Sequence, residues 1–377
     1  MKQIILPILA LLFITQSCKK DPIEPVVDPP VVKPVTDTTY TTKGLYVLNE
    51  GLFNMNNSTL TYYSFADSVP QTDYFNLQNG RKLGDTGNDI AIYGNKMYII
   101  VNVSSQLEVV NPFTGKSIKQ IPFFNGDKPR QPRYIAFNKN KAFVCSFDGT
   151  VAVIDTATLE IEKYITVGRN PDGIAVANNK VYVSNSGGLD YPNYDNTVSV
   201  IDVATLVETK KITVRINPYI IVPDKYGDLY VISRGNYGDV KMCLQIIDSK
   251  TDELKYTFPG FEALNLAING DTAYVYYYDF MTGSGSKIML INVKNETIIR
   301  DNFITDGTVI ETAYGITVDK QSGNVFITDA HGFVNTGNVV CFSKEGKKKY
   351  SFKAGLNPGH IAFLNETKID TLKTTIK

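Results

Sequence analysis

Arginine and aromatic side chains concentrate in stretches of this sequence that are rich in asparagine and glycine. A guanidinium is a planar fork that suits carboxylate, phosphate and amide carbonyl groups, and a tyrosine offers a flat apolar ring with one polar end. On flexible loops, these residue types form the adaptable mixture that is typical of binding surfaces. Packing between neighbouring loops would account for some of the same rings. The predicted ligand-binding residues are Arg81, Arg130, Arg133, Tyr134, Arg169, Tyr191, Tyr194, Arg234, Tyr237, Tyr278, Phe280 and Phe333.

Residues that could support catalysis are sparse. The two histidines, His331 and His360, are too few for a histidine-rich metal site. Loop carboxylates could pair for glycosidase chemistry or join a calcium site, and they are Asp190, Asp195, Asp239, Asp279 and Asp329. The run from Asp85 to Asp89 resembles a calcium loop but lacks EF-hand spacing, so we predict an Asx turn there. The prediction is a protein without catalytic residues, metal or cofactor.

Charge and composition narrow the class of protein. The chain has 377 residues, with 38 Lys and Arg against 38 Asp and Glu. A net charge of zero argues against nucleic acid as a partner, because that binding depends on neutralising phosphates. The 43% of hydrophobic and 20% of charged residues are typical of a folded globular protein. Cys145, Cys243 and Cys341 fall in different repeats, which favours free buried thiols.

The elements that must position these residues repeat along the chain. Short Ile-Ala-like strands recur roughly 45 residues apart, a period typical of propeller blades. Their central residues are Ile90, Ile135, Ile174, Ile220, Leu266, Ile316 and Ile361. The first six are each followed by a tight turn, typically with Gly or Asn, then a second strand rich in tyrosine and valine and a third strand. Turns such as Asp155 to Thr158 and Asp202 to Thr205 follow the third strand and lead to a fourth.

The number of strands predicts a closed ring. Residues 44–83 supply a second, third and fourth strand but no first strand, and the matching first strand, His360 to Phe363, comes at the C-terminal end. A final strand that completes the first blade removes the free edges of the ring. The predicted fold is therefore all-β, a seven-bladed β-propeller with its C-terminal strand closing the first blade.

The blade pattern also divides the loops between two faces. The loops after first and third strands are short and share one face, while the others share the opposite face and are long and irregular. This second face, the long-loop face, consists of residues 49–59, 185–197, 233–241, 277–287 and 329–338 between strands and residues 79–89, 125–134 and 304–315 between blades. Loops held by a rigid scaffold commonly carry binding residues, so we place the predicted site on this face.

The N-terminal segment predicts export and lipid attachment. Lys2 precedes a short apolar run from Ile4 to Ile14, and the run ends in Ser17-Cys18, which resembles a bacterial lipobox. We predict a signal peptide over residues 1–17, lipidation of Cys18 and a proline-rich tether over residues 18–43. The propeller then spans residues 44–365, and a tail spans 366–377. Because no aspartate follows Cys18 directly, we expect an outer-membrane location with the protein exposed at the cell surface.

One motif resembles a known family. Val181-Tyr182-Val183-Ser184-Asn185, followed by Val198-Ser199-Val200-Ile201-Asp202, resembles the YVTN-type β-propeller repeat of bacterial surface-layer-like proteins. The layout of lipid anchor, tether and propeller is similar to that of the cobalamin-capturing BtuG surface lipoproteins. That resemblance implies binding of a corrinoid, vitamin B12, and its transfer to a TonB-dependent outer-membrane transporter. A glycan- or protein-binding adaptor and a metal-dependent hydrolase of lactonase type are the alternatives.

Overall fold

The computed structural model describes residues 32–258, 262–278 and 286–375. The chain divides into two compact units. One covers Tyr40–Thr367, and the smaller one comprises Met1–Thr39 and Lys368–Lys377. In the smaller unit, the Thr39 hydroxyl donates to the Lys368 carbonyl at 3.5 Å. Nearly all regular structure in the described residues is β-strand, as the repeats predict.

The strands follow one another in groups of four. The first elements are β1 (Val32–Asn49), β2 (Thr59–Ser64), β3 (Pro70–Gln71) and helix α1 (Tyr74–Asn79). They are followed by β4 (Gly87–Tyr93), β5 (Lys96–Val101), β6 (Gln106–Val110) and β7 (Ser117–Pro122). A hairpin of β8 (Phe124–Asn125) and β9 (Lys128–Pro129) leads to β10 (Pro132–Asn138), β11 (Lys141–Ser146), β12 (Thr150–Asp155) and β13 (Ile161–Thr166).

The same order continues to the C-terminal strand. The next strands are β14 (Pro171–Ala177), β15 (Lys180–Asn185), β16 (Thr197–Asp202), β17 (Val207–Thr213), β18 (Pro218–Pro223), β19 (Asp228–Ser233), β20 (Cys243–Asp248) and β21 (Glu253–Thr257). They are followed by β22 (Asn265–Asn269), β23 (Thr272–Tyr278), β24 (Ser286–Asn292), β25 (Thr297–Arg300), β26 (Ala313–Val318), β27 (Val325–Asp329), a 3₁₀ helix (His331–Phe333), β28 (Thr336–Phe342), β29 (Lys348–Leu356) and β30 (Pro358–Thr375).

Within the described residues, these strands form seven four-stranded sheets and one two-stranded hairpin. Six sheets are consecutive runs of four strands, from β4–β7 to β26–β29, and form blades 2 to 7. Blade 1 has the order β3-β2-β1-β30, so the C-terminal strand occupies the inner position that the N-terminal segment leaves open. The predicted seven-bladed propeller and its closure by the C-terminal strand are confirmed.

One large aromatic side chain per blade builds the core between blades. Each occupies the same place on the second strand, and they are Tyr46, Tyr98, Phe143, Tyr182, Tyr230, Tyr274 and Phe326, all buried. Full burial of such a ring contributes on the order of 2–3 kcal/mol. Several of the phenols also donate to a turn carbonyl of the next blade: Tyr46 to Pro112 at 2.6 Å and Tyr182 to Ser249 at 3.1 Å. Blade-to-blade packing therefore includes a directed hydrogen bond as well as apolar contact.

Close approach of the inner strands leaves little room beside the channel. A Cβ on Gly173 would lie 2.0 Å from the Tyr219 carbonyl oxygen, and one on Gly315 would lie 2.0 Å from the Gly359 carbonyl oxygen. Glycine is required at these two places because any side chain would displace the neighbouring strand. Cys145, Cys243 and Cys341 are buried and free, which confirms their predicted state.

Candidate functional site

The inner strands of the propeller begin at the long-loop face and surround a central channel. The channel holds a cavity of about 230 Å³ lined by Asp89, Tyr134, Gly173, Asn265, Gly359 and His360, among others. In five of the blades a lining residue directly precedes the central residue of the repeat, while blades 5 and 7 contribute the central residues Ile220 and Ile316 themselves. The fold therefore brings side chains from distant parts of the chain to one opening.

Two arginines share one buried carboxylate at this opening. Arg133 Nε donates to Asp172 Oδ1 at 2.8 Å, and Arg234 Nη1 donates to Asp172 Oδ2 at 3.1 Å. The Asp172 side chain is 2% exposed, whereas that of Arg234 is 25% exposed. Burial lowers the pKa of Arg234, but the Asp172 carboxylate together with Tyr219 and Tyr237 more than offsets that effect, so the pKa lies above the usual value. Two cations against one anion leave an excess of positive charge at this side of the opening.

A pair of tyrosines extends from the arginines across the channel. The Arg234 guanidinium stacks on the Tyr219 ring, 3.4 Å from its centroid. The Tyr219 and Tyr134 hydroxyls are hydrogen bonded at 2.7 Å, and the Tyr134 ring packs edge-on against His360 at 5.5 Å. Burial, reinforced by Tyr219, raises the pKa of Tyr134 well above its ordinary value. The Tyr134 phenol is thus a neutral hydrogen-bonding group rather than an acid or a nucleophile.

Carboxylates lie on blades 1 and 2. Asp89 accepts hydrogen bonds from the Ile90 and Ile135 amides, at 2.9 and 3.0 Å, and lies 3.7 Å from His360 Nδ1. Burial raises the pKa of Asp89, and His360 and the two amides act against that shift. Glu50 of blade 1 accepts a hydrogen bond from the Tyr314 hydroxyl. The opening therefore carries cations at blades 3 and 5 and carboxylates at blades 1 and 2.

A second cavity adjoins the channel between blades 5, 6 and 7. This aromatic cavity encloses about 250 Å³, and its walls include Tyr219, Arg234, Tyr237, Tyr276, Tyr314 and Phe333. Asn265 lines both cavities, so the two are neighbours. The position of one guanidinium among several rings suits a flat ligand with a polar or anionic substituent.

Exposed apolar side chains lie on the loops of the long-loop face. They include Phe53, Met55, Leu189, Tyr191, Tyr237, Val309 and Val334, each at least 60% exposed. Tyr191, Tyr194 and Tyr237 form a chain of edge-to-face contacts with centroids 6.1 and 6.2 Å apart. Apolar groups collected on one face are typical of an interaction surface.

The structure brings together only part of the predicted set. Arg133, Tyr134, Arg234, Tyr237 and Phe333 lie at the channel or the aromatic cavity, and Tyr191 and Tyr194 continue from them along the loops. The Tyr278 side chain and Phe280 lie outside the described residues.

The other three predicted arginines are held by carboxylates away from the channel. Arg81 pairs with buried Glu108 at 2.8 Å, Arg130 pairs with Asp148 and stacks on Tyr164, and Arg169 pairs with Asp190 and Asp195. A loop arginine is readily neutralised by a carboxylate nearby in the fold, and sequence alone does not show which one.

Several residues of the site were absent from the prediction. Asp89, Tyr219, Asn265 and His360 each directly precede the central residue of a repeat, as Tyr134 does. That shared position is a signal in the sequence that could have identified them. Asp172 has no such signal, because its role depends on two arginines from other blades.

The loop carboxylates considered for catalysis have structural partners wherever the structure describes them, and Asp279 lies outside the described residues. Asp190 and Asp195 bind the same arginine, Asp329 accepts the Glu311 and Thr312 amides, and Asp85 accepts the Asn54 and Asn56 amides. Among the residues that the structure describes, no three His, Cys, Asp or Glu side chains are placed to hold a metal ion. In the same residues, no helix has the length and apolar character needed to cross a membrane.

Fold and channel together define a seven-bladed β-propeller with a loop-built opening on one face. The chain belongs to the family described as a domain of unknown function, DUF5074, whose model matches residues 43–361. No curated protein matches it.

Solved structures share its fold at low sequence identity. Hydrazine synthase of Kuenenia stuttgartiensis is 15% identical with a TM-score of 0.60, over 77% of this chain and 96% of that one. A quinoprotein alcohol dehydrogenase-like protein of Bacteroides thetaiotaomicron is 16% identical with a TM-score of 0.62, over 89% of this chain and 86% of that one. Similarity at such low sequence identity shows a shared fold and nothing about function.

Proposed function

We propose that this protein is a cell-surface capture lipoprotein that binds a corrinoid on its long-loop face and passes it to a TonB-dependent transporter. In this proposal the protein has no catalytic chemistry of its own. The observation that carries it is the Arg133–Asp172–Arg234 cluster beside the Tyr134–Tyr219 pair at the channel opening.

The chemistry of these groups matches that of a corrinoid. The ligand is rimmed by amides and carries one phosphate in its nucleotide tail. Tyrosine hydroxyls can donate to amide carbonyls, and the excess positive charge of Arg133 and Arg234 favours a phosphate. The exposed Tyr191 ring offers a flat apolar contact for a large ring system.

The dimensions of the opening determine how such a ligand would lie. The two cavities, of about 230 and 250 Å³, are smaller than the roughly 300–1,000 Å³ of pockets that enclose a drug-sized molecule. A corrinoid would therefore lie across the opening and be held by the surrounding loops, with only a part of it entering a cavity. Such a position leaves the opposite side of the ligand accessible to a transporter.

The proposed location follows from the N-terminal sequence and from the resemblance to corrinoid-capturing lipoproteins. Ser17-Cys18 supplies the attachment point for lipid, and the prolines that follow favour an extended spacer. A lipid-anchored protein at the outer face of the membrane would be placed to hand its ligand to a transporter. Cys18 lies outside the described residues.

Titration calorimetry with cyanocobalamin tests the proposed ligand. We expect saturable binding with a dissociation constant below 1 μM. Arg234→Gln should weaken it about 10- to 100-fold, because a charge-assisted hydrogen bond contributes about 1.5–3 kcal/mol. Arg300→Gln, on the outer strand of blade 6, is the matched control and should bind as the wild type does. Absence of heat at micromolar ligand would contradict the proposal.

A glycan ligand is the second candidate, and a groove between blades 3 and 4 favours it. This groove encloses about 800 Å³ and is lined by Arg169, Asp190, Asp195, Leu189 and Lys211. Charged side chains beside the exposed Tyr191 ring could hydrogen bond and stack on a sugar. A glycan-array signal without any response to cyanocobalamin would favour this candidate over the first.

A further inference from the structure

The aromatic cavity has the walls of a site for a single flat ring. Three blades contribute to it, and its lining includes Tyr219, Tyr237, Tyr276, Tyr314, Phe333 and the guanidinium of Arg234. At about 250 Å³ it is below the roughly 300–1,000 Å³ of pockets for drug-sized ligands, so it would admit one ring system rather than a whole corrinoid.

Hydrogen bonds hold the inner wall of the cavity in place. The Tyr314 hydroxyl donates to Glu50, and the Tyr314 carbonyl accepts from the Tyr276 hydroxyl and, at 3.4 Å, from Asn265 Nδ2. The phenols on this wall are neutral, because burial raises the pKa of Tyr276 and that of Tyr314 above the ordinary value. A wall fixed before the ligand arrives lowers the entropic cost of binding.

The two aromatic residues that the long loops contribute to the cavity have an unusual backbone conformation. Tyr237 has a φ of 59° and Phe333 a φ of 70°, in the left-handed region that bulky residues rarely adopt. Such strain persists only where the surrounding structure imposes it, and it concentrates at functional sites. Two separate loops thus hold a strained aromatic residue at the wall of the same cavity.

Arg234 supplies the polar contact at the inner edge. The plane of its guanidinium is fixed by stacking on the Tyr219 ring, 3.4 Å from the centroid, and its Nη1 donates to Asp172. A guanidinium has five N–H donors in a rigid fork, so this ion pair leaves an edge that suits an anionic oxygen. The cavity therefore offers aromatic contacts to a ring and a cation to a phosphate joined to that ring.

We propose that the aromatic cavity binds a planar heteroaromatic ring whose attached phosphate contacts Arg234. For a corrinoid, the matching part is the base of the nucleotide tail, an assignment that rests on the proposed function. The cavity would then distinguish complete corrinoids from those without a nucleotide tail.

Saturation-transfer NMR with isolated α-ribazole phosphate, up to 10 mM, tests the cavity without a corrinoid. Saturation of the wild-type protein should transfer to the ring protons of the nucleotide. The Phe333→Asn and Tyr237→Asn variants should lose most of that signal. Asparagine removes the ring but tolerates the left-handed φ, and Tyr237 is exposed, so the Tyr237 variant should fold. Phe113→Ala, an exposed phenylalanine on a short turn of blade 2, is the control and should keep the signal. Absence of saturation transfer from the wild-type protein to the nucleotide would overturn the proposal.

Calorimetry with cyanocobalamin and cobinamide, which lacks the nucleotide tail, assigns the tail to the cavity. Tyr237→Asn should weaken cyanocobalamin binding about 3- to 10-fold, the effect of losing one aromatic contact, and leave cobinamide binding unchanged. An equal loss for both ligands would overturn the assignment of the tail while the proposed function stands. Failure of both ligands to bind the wild type would instead reject a corrinoid as the ligand. The NMR experiment would then be the only test of whether the cavity binds a heteroaromatic ring.

Discussion

Asp172 is the residue on which the charged part of the site depends. Its carboxylate is almost fully buried and pairs with Arg133 and Arg234, which come from blades 3 and 5. The ion pairs thus join three blades at the channel opening. Their geometry holds both guanidinium planes in place, Arg234 on the Tyr219 ring and Arg133 beside the Phe147 ring at 4.6 Å.

Replacing Asp172 by asparagine should strongly destabilise the propeller. The change removes the anion and leaves two partly buried cations facing each other, and loss of one partner from a buried ion pair costs about 3–5 kcal/mol. Urea unfolding at neutral pH measures the effect. Asp190→Asn is the matched control: that carboxylate is 53% exposed, so its ion pair with Arg169 should contribute less than about 1 kcal/mol. Equal losses for the two variants would contradict the structural role of Asp172.

Turns after the third strand give each blade a fixed geometry. Asp155 Oδ1 accepts the amides of Ala157 and Thr158 at 2.9 and 2.8 Å, and Asp202 Oδ1 does the same in the next blade. The Thr158 amide and then the Ala157 amide lower the pKa of Asp155 below 3.8. The Thr205 amide has the corresponding effect on the pKa of Asp202. These turns favour the ionised carboxylate in the folded state.

The lowered pKa values predict a loss of stability in acid. A carboxyl group whose pKa is lower in the folded state contributes stability above its unfolded pKa, near 3.8, and loses it as the pH falls through the folded pKa. The double variant Asp155→Asn, Asp202→Asn keeps the accepting Oδ1 but does not titrate. Urea unfolding at about pH 7, 5, 3.5 and 2.5 should show a smaller decline below pH 4 for the double variant than for the wild type. Parallel pH profiles would contradict this reasoning.

Closure of the ring is what gives the whole molecule one functional face. Strand β30 from the C-terminal end occupies the inner position of blade 1, beside β1. Its His360 Nδ1 then lies 3.7 Å from Asp89 Oδ1 on the neighbouring blade 2. Without that closure, the groups from blades 1 and 2 would not complete the opening formed by blades 3 to 7.

At the scale of the whole molecule, we predict that Cys18 carries a lipid anchor. When the chain is produced with its own leader in a bacterium that has an outer membrane, it should fractionate with that membrane and enter the detergent phase on partitioning. Cys18→Ala should move it to the soluble fraction, because the acylated thiol is lost. Ser17→Ala keeps that thiol and a small residue before it, and should behave as the wild type does. Retention of Cys18→Ala in the membrane would contradict lipid anchoring.

The strand pattern was predictable because it depends on local chemistry. Period-two hydrophobic strands, Gly/Asn turns and Asx turns are each specified by neighbouring residues, and their repetition indicates the number of blades. The missing first strand near residue 44 and the extra strand at His360 were enough to predict the closure. The aromatic residue repeated on the second strands belongs to the same local pattern.

The candidate site was predictable only in part. Loop position and residue type identified Arg133, Tyr134 and Arg234, but they favoured Arg81, Arg130 and Arg169 equally. What separates the two groups is the carboxylate that each guanidinium meets, and those carboxylates lie 18 to 62 residues away in the chain. Residue type and local spacing do not identify pairing over such distances.

The order of residues alone determined the repeating strands, the turns between them and the means of closing the ring, since each depends on contacts between near neighbours or on a count of repeats. Only the tertiary structure decided which loop residues face one another. It placed Tyr219 beneath Arg234 and Asp172 between two arginines, because blades distant in the chain meet at the channel. Charge and ring contacts act through space, so they follow from the packing of the blades rather than from sequence spacing.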